Sequence, residues 1–259
     1  MITESELLWL QKPFSFFRFP SLSRTGCLVH GVFTRKGGVS SPPYDYLNTS
    51  YMVGDSPDDV TFNLSRIKKA LKTSRLFFVD QTHGDGISIV RKEFFRSIPQ
   101  TPPSADAVIT NAPGIAVLIK LADCQGIIIL DPKRHVLANV HCGWRGNVKN
   151  ILGLVVERMK QEFDCIPSDM IAAISPSLGP CCAEFVNYKE IFPRYFESFL
   201  SSENHFDLRA LSCWQLAEAG LKPQNMECAS ICTRCRTDLF YSYRGEGKTG
   251  RFGIVAMLA

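Results

Sequence analysis

Three side chains in this sequence can act together on a metal ion. They are His83 in Asp80-Gln81-Thr82-His83-Gly84, Cys124 in Leu121-Ala122-Asp123-Cys124, and His141, followed by Cys142-Gly143-Trp144-Arg145-Gly146. Two imidazoles and one thiolate suit zinc, and three protein ligands leave the fourth tetrahedral position open, as a catalytic site requires. The separations of 41 and 17 residues match no local metal motif. Spacing alone therefore leaves plainer readings open: His83 caps a turn, Cys124 is a small buried residue, and His141 bonds its neighbours. Cys124 and His141 also suit a cysteine-hydrolase pair in which Asp123 orients the imidazole. Co-purifying metal separates these chemistries.

Two other stretches invite chemistry and do not support it. Cys228, Cys232 and Cys235 form C-x3-C-x2-C, but no CxxC or HxxxH partner completes a ligand set, so the cluster reads as structural. A thioredoxin-like reading fails because the pair does not open a helix after a first βα unit. Gly245–Gly250, GEGKTG, imitates a phosphate loop. Ser242 stands where that motif needs its first glycine, and the following RFGIVAML reads as a strand instead of a helix.

The elements that must position the candidate site lie between Ser104 and Gly146. Ile115–Leu121, Gly126–Leu130 and Val136–Val140 are short, β-branched and bounded by turn residues, and read as buried strands. They deliver Asp123 and Cys124 after the first run and His141 at the end of the third. Upstream, Val29–Thr34 reads as a strand running into Gly37-Gly38 with Arg35 and Lys36 at its mouth. A loop then closes on Leu47-Asn48. Ser56-Pro57 opens a helix, with Asp58 and Asp59 at its positive end and Val60, Leu64, Ile67 and Leu71 as its stripe. Leu76–Val79 and Ile87–Val90 read as strands around His83, and a Pro-rich loop follows.

Val148 to Phe163 has helical spacing and should begin near Asn147. Ile171–Ile174 is a strand, Ser175–Cys182 a loop, and the Phe- and Tyr-rich segment beyond it a helix. Asp207–Ala219 is a helix ended by Gly220 and Pro223, and Ala229–Cys232, Phe240–Tyr243 and Phe252–Leu258 are strands. With no repeat or linker, the expectation is one domain over residues 1–259.

The 259 residues are 45% hydrophobic and 21% charged with a net charge of +4, enough for a sizeable core and too weakly basic for nucleic acid. A local cationic pocket for a small anion remains compatible with that balance. The N-terminus has no basic region followed by an apolar core, and no apolar run approaches the roughly 18 residues that span a bilayer. A cytoplasmic protein with no membrane partner is expected, its ten cysteines reduced.

Taken together, HGVFTRKGGVS (His30–Ser40), LNTS (Leu47–Ser50), VGDSPDDV (Val53–Val60) and DQTHG (Asp80–Gly84) resemble the YfiH/YlmD-type family. LADC (Leu121–Cys124), VHCGWRG (Val140–Gly146), SLGPCC (Ser177–Cys182) and DLFYSYRGEGKTGR (Asp238–Arg251) continue the likeness in family order across nearly the whole chain. That family is also labelled laccase-domain or polyphenol oxidase. The resemblance implies an α+β fold, with mixed β-sheets packed together and flanked by helices. It implies that His83, Cys124 and His141 bind metal, zinc before copper, and that Arg35, Asn48 and Arg145 form the polar substrate pocket. The implied activity is purine nucleoside phosphorolysis on adenosine and inosine, with adenosine deamination as a second activity. The partners are then a nucleoside and phosphate. Cell-wall precursor editing is a further activity proposed within the family, and a zinc-bound partner-binding protein is the non-enzyme alternative.

Arg35 and Arg145 are then expected to grip phosphate, aided by the N–H groups of the helix starting near Asn147. Asp123 is expected to shuttle protons in deamination, since zinc deaminases use a carboxylate that does not bind metal. The chain departs from the family at Cys142, where alanine is usual, and at Gln125-Gly126, where Leu-Pro or Val-Pro is common. Extended geometry should turn Cys142 away from His141. The oxidase label meets a stoichiometric objection: five histidines, His30, His83, His135, His141 and His205, allow one His2Cys site but no multi-copper relay. His135 and His205 are expected at the surface.

Overall fold

A computed structural model of the chain describes residues 2–10, 15–91 and 101–259. The β-branched runs form two six-stranded sheets. With strands numbered in chain order, the first sheet runs β1 (Leu8–Leu10), β2 (Phe16–Arg18), β3 (Leu28–Phe33), β14 (Phe252–Leu258), β7 (Ala116–Leu121) and β4 (Leu76–Phe78). Its pairs are antiparallel except β4 with β7. The second runs β13 (Met226–Cys228), β10 (Ile171–Ile174), β8 (Gln125–Asp131), β9 (Val136–Cys142), β6 (Ala107–Thr110) and β5 (Ile87–Val90). Here the outer pairs, β13 with β10 and β5 with β6, are parallel. A short ribbon joins β11 (Leu200–Ser202) to β12 (His205–Phe206).

The central strands are apolar on both faces because both faces are covered. Ile128 and Leu130 of β8 pack against Val117, Ile119 and Ile254 of the first sheet. Their neighbours Ile127 and Ile129 face the other way, onto Leu152, Val155 and Met159 of a helix. Ala116, Leu118 and Val255 form the outer face of the first sheet and bury Val60, Leu64 and Ile67. The layers are therefore helix, sheet, sheet, helix. Between the sheets, Asn139 of β9 donates to the carbonyls of Val117 at 2.9 Å and Ile254 at 3.1 Å. The expected α+β architecture of packed mixed sheets with flanking helices is what forms.

Seven α-helical segments occur among the described residues. After α1 (Pro20–Arg24), α2 (Pro57–Ala70) starts as anticipated, with Ser56 accepting from the Asp59 amide. The helix expected from Val148 is instead two: α3 (Trp144–Val148) and α4 (Ile151–Phe163). The break has a cause. Asn147 is buried, its side chain donates to Ser212 and Gln215, and its carbonyl accepts from the Gln215 amide. Asn150 then adopts φ 53° and caps α4 through Gly153. The Phe- and Tyr-rich segment makes only α5 (Tyr188–Ile191) and a 3-10 turn over Arg194–Phe199, while α6 (Leu208–Glu218) is capped by Asp207 as its sequence suggests.

Two expected strands do not form. β13 is displaced to Met226–Cys228, ahead of Ala229–Cys232. In place of the strand expected over Phe240–Tyr243, Phe240, Tyr241 and Ser242 are buried loop and the exposed Tyr243 opens α7 (Tyr243–Glu246); the loop is held because the Tyr241 hydroxyl donates to the carbonyls of Tyr44 and Asp45. The Pro-rich loop after β5 lies partly outside the described residues. Among the described residues no helix is long and apolar enough to cross a membrane.

Candidate metal centre and cleft

His83 follows β4, Cys124 follows β7, and His141 ends β9 one residue before its close. These are C-terminal strand ends from both sheets, so the three side chains meet where the sandwich opens. Their donor atoms lie within 4.8 Å of one another, with the two imidazole rings at 85° and 4.8 Å between centroids. The residues brought together are the three that the sequence singled out.

Sequence reading missed the group that arranges them. Asp106, fully buried just before β6, bonds His141 Nδ1 through Oδ1 at 2.7 Å and accepts the His83 amide at 2.9 Å. Its Oδ2 accepts the Gly84 amide at 2.6 Å and the Thr82 hydroxyl at 3.1 Å. One carboxylate thus holds the His83 turn, whose φ of 60° is unusual for a residue with a side chain, and directs His141 Nε2 toward Cys124. Burial works against charge on Asp106, but the His141 and Gly84 hydrogen bonds hold its carboxyl down to about 2. The available signal was an acid in an otherwise apolar run, Ala105-Asp106-Ala107-Val108.

Burial also opposes charge on Cys124 and His141, and their mutual attraction overcomes it. The Cys124 thiol is drawn down to about 6 and the His141 imidazole raised to about 9. Such a thiolate beside two imidazoles is the donor set that zinc takes, and the Asp106 carboxylate bonded to His141 Nδ1 holds one of those imidazoles in place for it. Cys142 faces the opposite side, packed among Val140, Ile151 and Val155, and burial pushes its thiol well above the ordinary range. Gly143 leaves room for the sulfur: a Cβ there would stand 2.8 Å from Cys124 Sγ.

The donors sit in a cleft of about 490 Å³, within the range of small-molecule sites. Trp144, Phe185 and Tyr243 supply aromatic wall, and Lys120, Arg145, Arg244 and Arg251 supply positive charge. Among the described residues no carboxylate forms an ion pair with any of these four cations.

Three expectations need correction. Arg35 does not line the cleft: its guanidinium is buried over the Tyr241 ring, paired with Glu246 at 2.7 Å and bonded to the Thr237 carbonyl. Asn48 is also withdrawn, donating to Asp55 and the Ser50 carbonyl and accepting the Arg251 amide. The helix expected to start near Asn147 starts instead at Ile151, and its first turn does not line the cleft, while α3 begins at Trp144 and is only five residues long. Asp123 does line the cleft, but its Oδ1 accepts from Thr233 and Ser242 at 2.7 Å each, and its Oδ2 accepts the Arg244 amide at 2.6 Å. Arg145 is exposed at the cleft with its guanidinium 4.3 Å from the Trp144 ring centroid. Of the remaining histidines, His30 is buried against the Phe19 amide, His135 is exposed, and His205 is half-buried in the β11–β12 ribbon, short of full exposure.

Residues 29–259 match a family described as multi-copper polyphenol oxidoreductase laccase. The chain is 28% identical over 239 residues to purine nucleoside phosphorylase YlmD of Bacillus subtilis, covering 86% of both chains. It is 30% identical to purine nucleoside phosphorylase YfiH of Shigella flexneri over 84% of this chain and 88% of that one. In structure it is similar to the Bacillus licheniformis hypothetical protein YfiH, at a TM-score of 0.86 and 28% identity over 97% of this chain and 99% of the other.

Proposed function

The chain belongs to the multi-copper polyphenol oxidoreductase laccase family, and from that premise we propose a zinc-dependent purine nucleoside phosphorylase acting on adenosine and inosine. Adenosine deamination is its second activity. The observation that carries this reading is the convergence of His83, Cys124 and His141 in a cleft that combines aromatic walls with cations forming no ion pair among the described residues. A purine needs a flat apolar surface, and phosphate needs guanidinium groups not already neutralised. Multi-copper oxidation asks for more imidazoles than two at one site, so the family's descriptive name does not transfer to this chemistry.

Arg145 and Arg244 are the exposed guanidinium groups of the cleft and would hold phosphate for attack on the ribosyl carbon. Trp144 and Phe185, whose rings pack edge-to-face at 67° with centroids 6.4 Å apart, would form one apolar wall for the base. Zinc held by the two imidazoles and the thiolate would supply Lewis-acid chemistry at the departing or attacked purine. Asp123 is assigned to positioning, because its three donors leave it tying the Arg244 segment to the Cys124 turn.

The test uses one zinc-quantified preparation of the wild type and of Arg145→Ala. Ribose-1-phosphate release from inosine should fall roughly 10- to 150-fold, the equivalent of ~1.5–3 kcal/mol for a lost charged hydrogen-bond partner. Conversion of adenosine to inosine, which uses no phosphate, should fall less, and zinc content should hold. Equal losses would move Arg145 from phosphate to the nucleoside. Base release by the wild type without phosphate would remove the phosphorylase reading altogether.

A further inference from the structure

A second set of donors lies apart from the His83–Cys124–His141 centre. Among the described residues, the sulfurs of Cys181, Cys182, Cys232 and Cys235 all lie within 4.8 Å of one another. Cys235 Sγ is 3.7 Å from that of Cys181 and 3.6 Å from that of Cys182. The C-x3-C-x2-C grouping thus divides. Cys228 is packed into the second-sheet core, while Cys232 and Cys235 find their partners about fifty residues upstream, Cys235 at separations of 53 and 54 positions.

We propose that these four cysteines form a second, closed zinc site whose role is structural. A tetrahedral ion with Zn–S near 2.3 Å sets its sulfurs about 3.8 Å apart, and the observed sulfur spacings of 3.6 and 3.7 Å already match that. A disulfide needs about 2.05 Å, and all four cysteines are free thiols. Four protein donors leave no open position, in contrast to the three in the cleft. Sulfur-only tetrahedral coordination belongs to zinc or iron, and harder cations do not favour it.

Two features of the surroundings fit a charged metal–thiolate group. The Gly179 amide donates to Cys232 Sγ at 3.3 Å, a bond that stabilises negative sulfur. Arg209 is 4% exposed, its Nε has no partner, and it forms no ion pair among the described residues. Its guanidinium and the Cys232 side chain flank Gly179 together: a Cβ on that glycine would meet Arg209 Nη2 at 3.1 Å and Cys232 Cβ at 3.0 Å. A buried guanidinium without a carboxylate calls for an anion, and zinc with four thiolates carries two net negative charges.

The position explains what such a site would do. Ser177 bridges Cys232 as an isolated β-pair, the Leu178 amide donates to the Asp123 carbonyl, and Thr233 donates to the Asp123 carboxylate. One ion would therefore clamp residues 177–182 to 232–235, the two segments that support the Asp123–Cys124 turn. The clamp does not depend on what substrate the cleft takes.

The chain purified from zinc-supplemented cells should contain about two zinc ions by elemental analysis, one for each donor set. Cys235→Ser should drop the content by one and lower the unfolding temperature. Cys124→Ser should drop it by one and leave the tetrathiolate ion in place. Cobalt substitution of His83→Ala keeps the experiment decisive where cysteine variants fail to fold, because tetrahedral cobalt with four thiolates gives intense sulfur-to-metal charge-transfer absorption. That spectrum is expected. A wild type holding one ion, with Cys235→Ser retaining it, would overturn the proposal. So would a metal-replete chain in which Cys181, Cys182, Cys232 and Cys235 are found as disulfides, or react with a thiol reagent without releasing zinc.

Discussion

At Asp106 a single carboxylate settles the geometry of two imidazoles, so a small change there should travel far. Asp106→Asn keeps the volume but offers His141 and the His83 turn a weaker, half-donor partner. Zinc affinity should fall by about 10- to 100-fold, the loss typical when the partner that orients a ligating histidine is weakened, measured by competition with a chromophoric chelator. Unchanged affinity would mean that His141 is oriented by packing alone. Gly143→Ala tests the opposite side of the centre. Gly143 has φ −86°, which any residue adopts, so alanine there brings no backbone strain and only a methyl 2.8 Å from Cys124 Sγ. It should displace the sulfur and cost metal with little loss of fold, and retained zinc would show the turn to be more yielding. The metal-centre candidates were legible because His and Cys at strand ends announce themselves by type. Asp106 was not, since an acid before a strand has many uses. Arg35 and Asn48 were misplaced because their types fit a pocket equally well as they fit the buried network they join.

Among the elements, β3 and α1 are joined by an imidazole that does not titrate in the ordinary range. His30 of β3 accepts the Phe19 amide at 2.9 Å, and Phe19 is the N-cap of α1. Burial first, and then the charge of Arg18, lower its pKa from 6.5 to about 3. Above 6.5 both folded and unfolded chains keep this histidine neutral. Below it the unfolded chain takes a proton that the folded chain refuses, so stability falls with falling pH until about 3. The contribution approaches about 1.4 kcal/mol per pH unit. Urea unfolding of the wild type and His30→Gln on either side of that threshold should show a shallower pH dependence in the variant; parallel slopes would remove His30 as the cause. Element type was readable wherever a local pattern matched the final environment, as in α2, β5, β10 and β14. It failed where distant side chains intervened. Gln215 and Ser212 of α6 claim Asn147 and split one helical pattern in two, and Tyr44 and Asp45 capture Tyr241 from what reads as a strand. No window around those residues contains their partners.

For the whole molecule, the sheets are pinned as well as packed. Asn139 is fully buried and its amide supplies the carbonyls of both β7 and β14. Asn139→Ala leaves those carbonyls without that donor and opens a void, so a loss of about 2–4 kcal/mol is expected from calorimetric or urea unfolding. A loss below ~0.5 kcal/mol would mean the contacts between sheets are hydrophobic in all that matters. The layered packing was foreshadowed by strands apolar on both faces, whereas the order of strands within each sheet was beyond reach of a linear pattern. That order has a consequence for synthesis on the ribosome. β14 lies between β3 and β7, and both of its neighbours are made long before it. Until Phe252–Leu258 emerges, the nascent chain carries two apolar strands whose backbone N–H and C=O groups have no sheet partner between them. The first sheet therefore cannot close progressively behind translation. During that wait the exposed edges need a chaperone or invite pairing with another copy, and nascent chains stalled before Phe252 should be far more protease-sensitive than those stalled after Leu258 has cleared the tunnel.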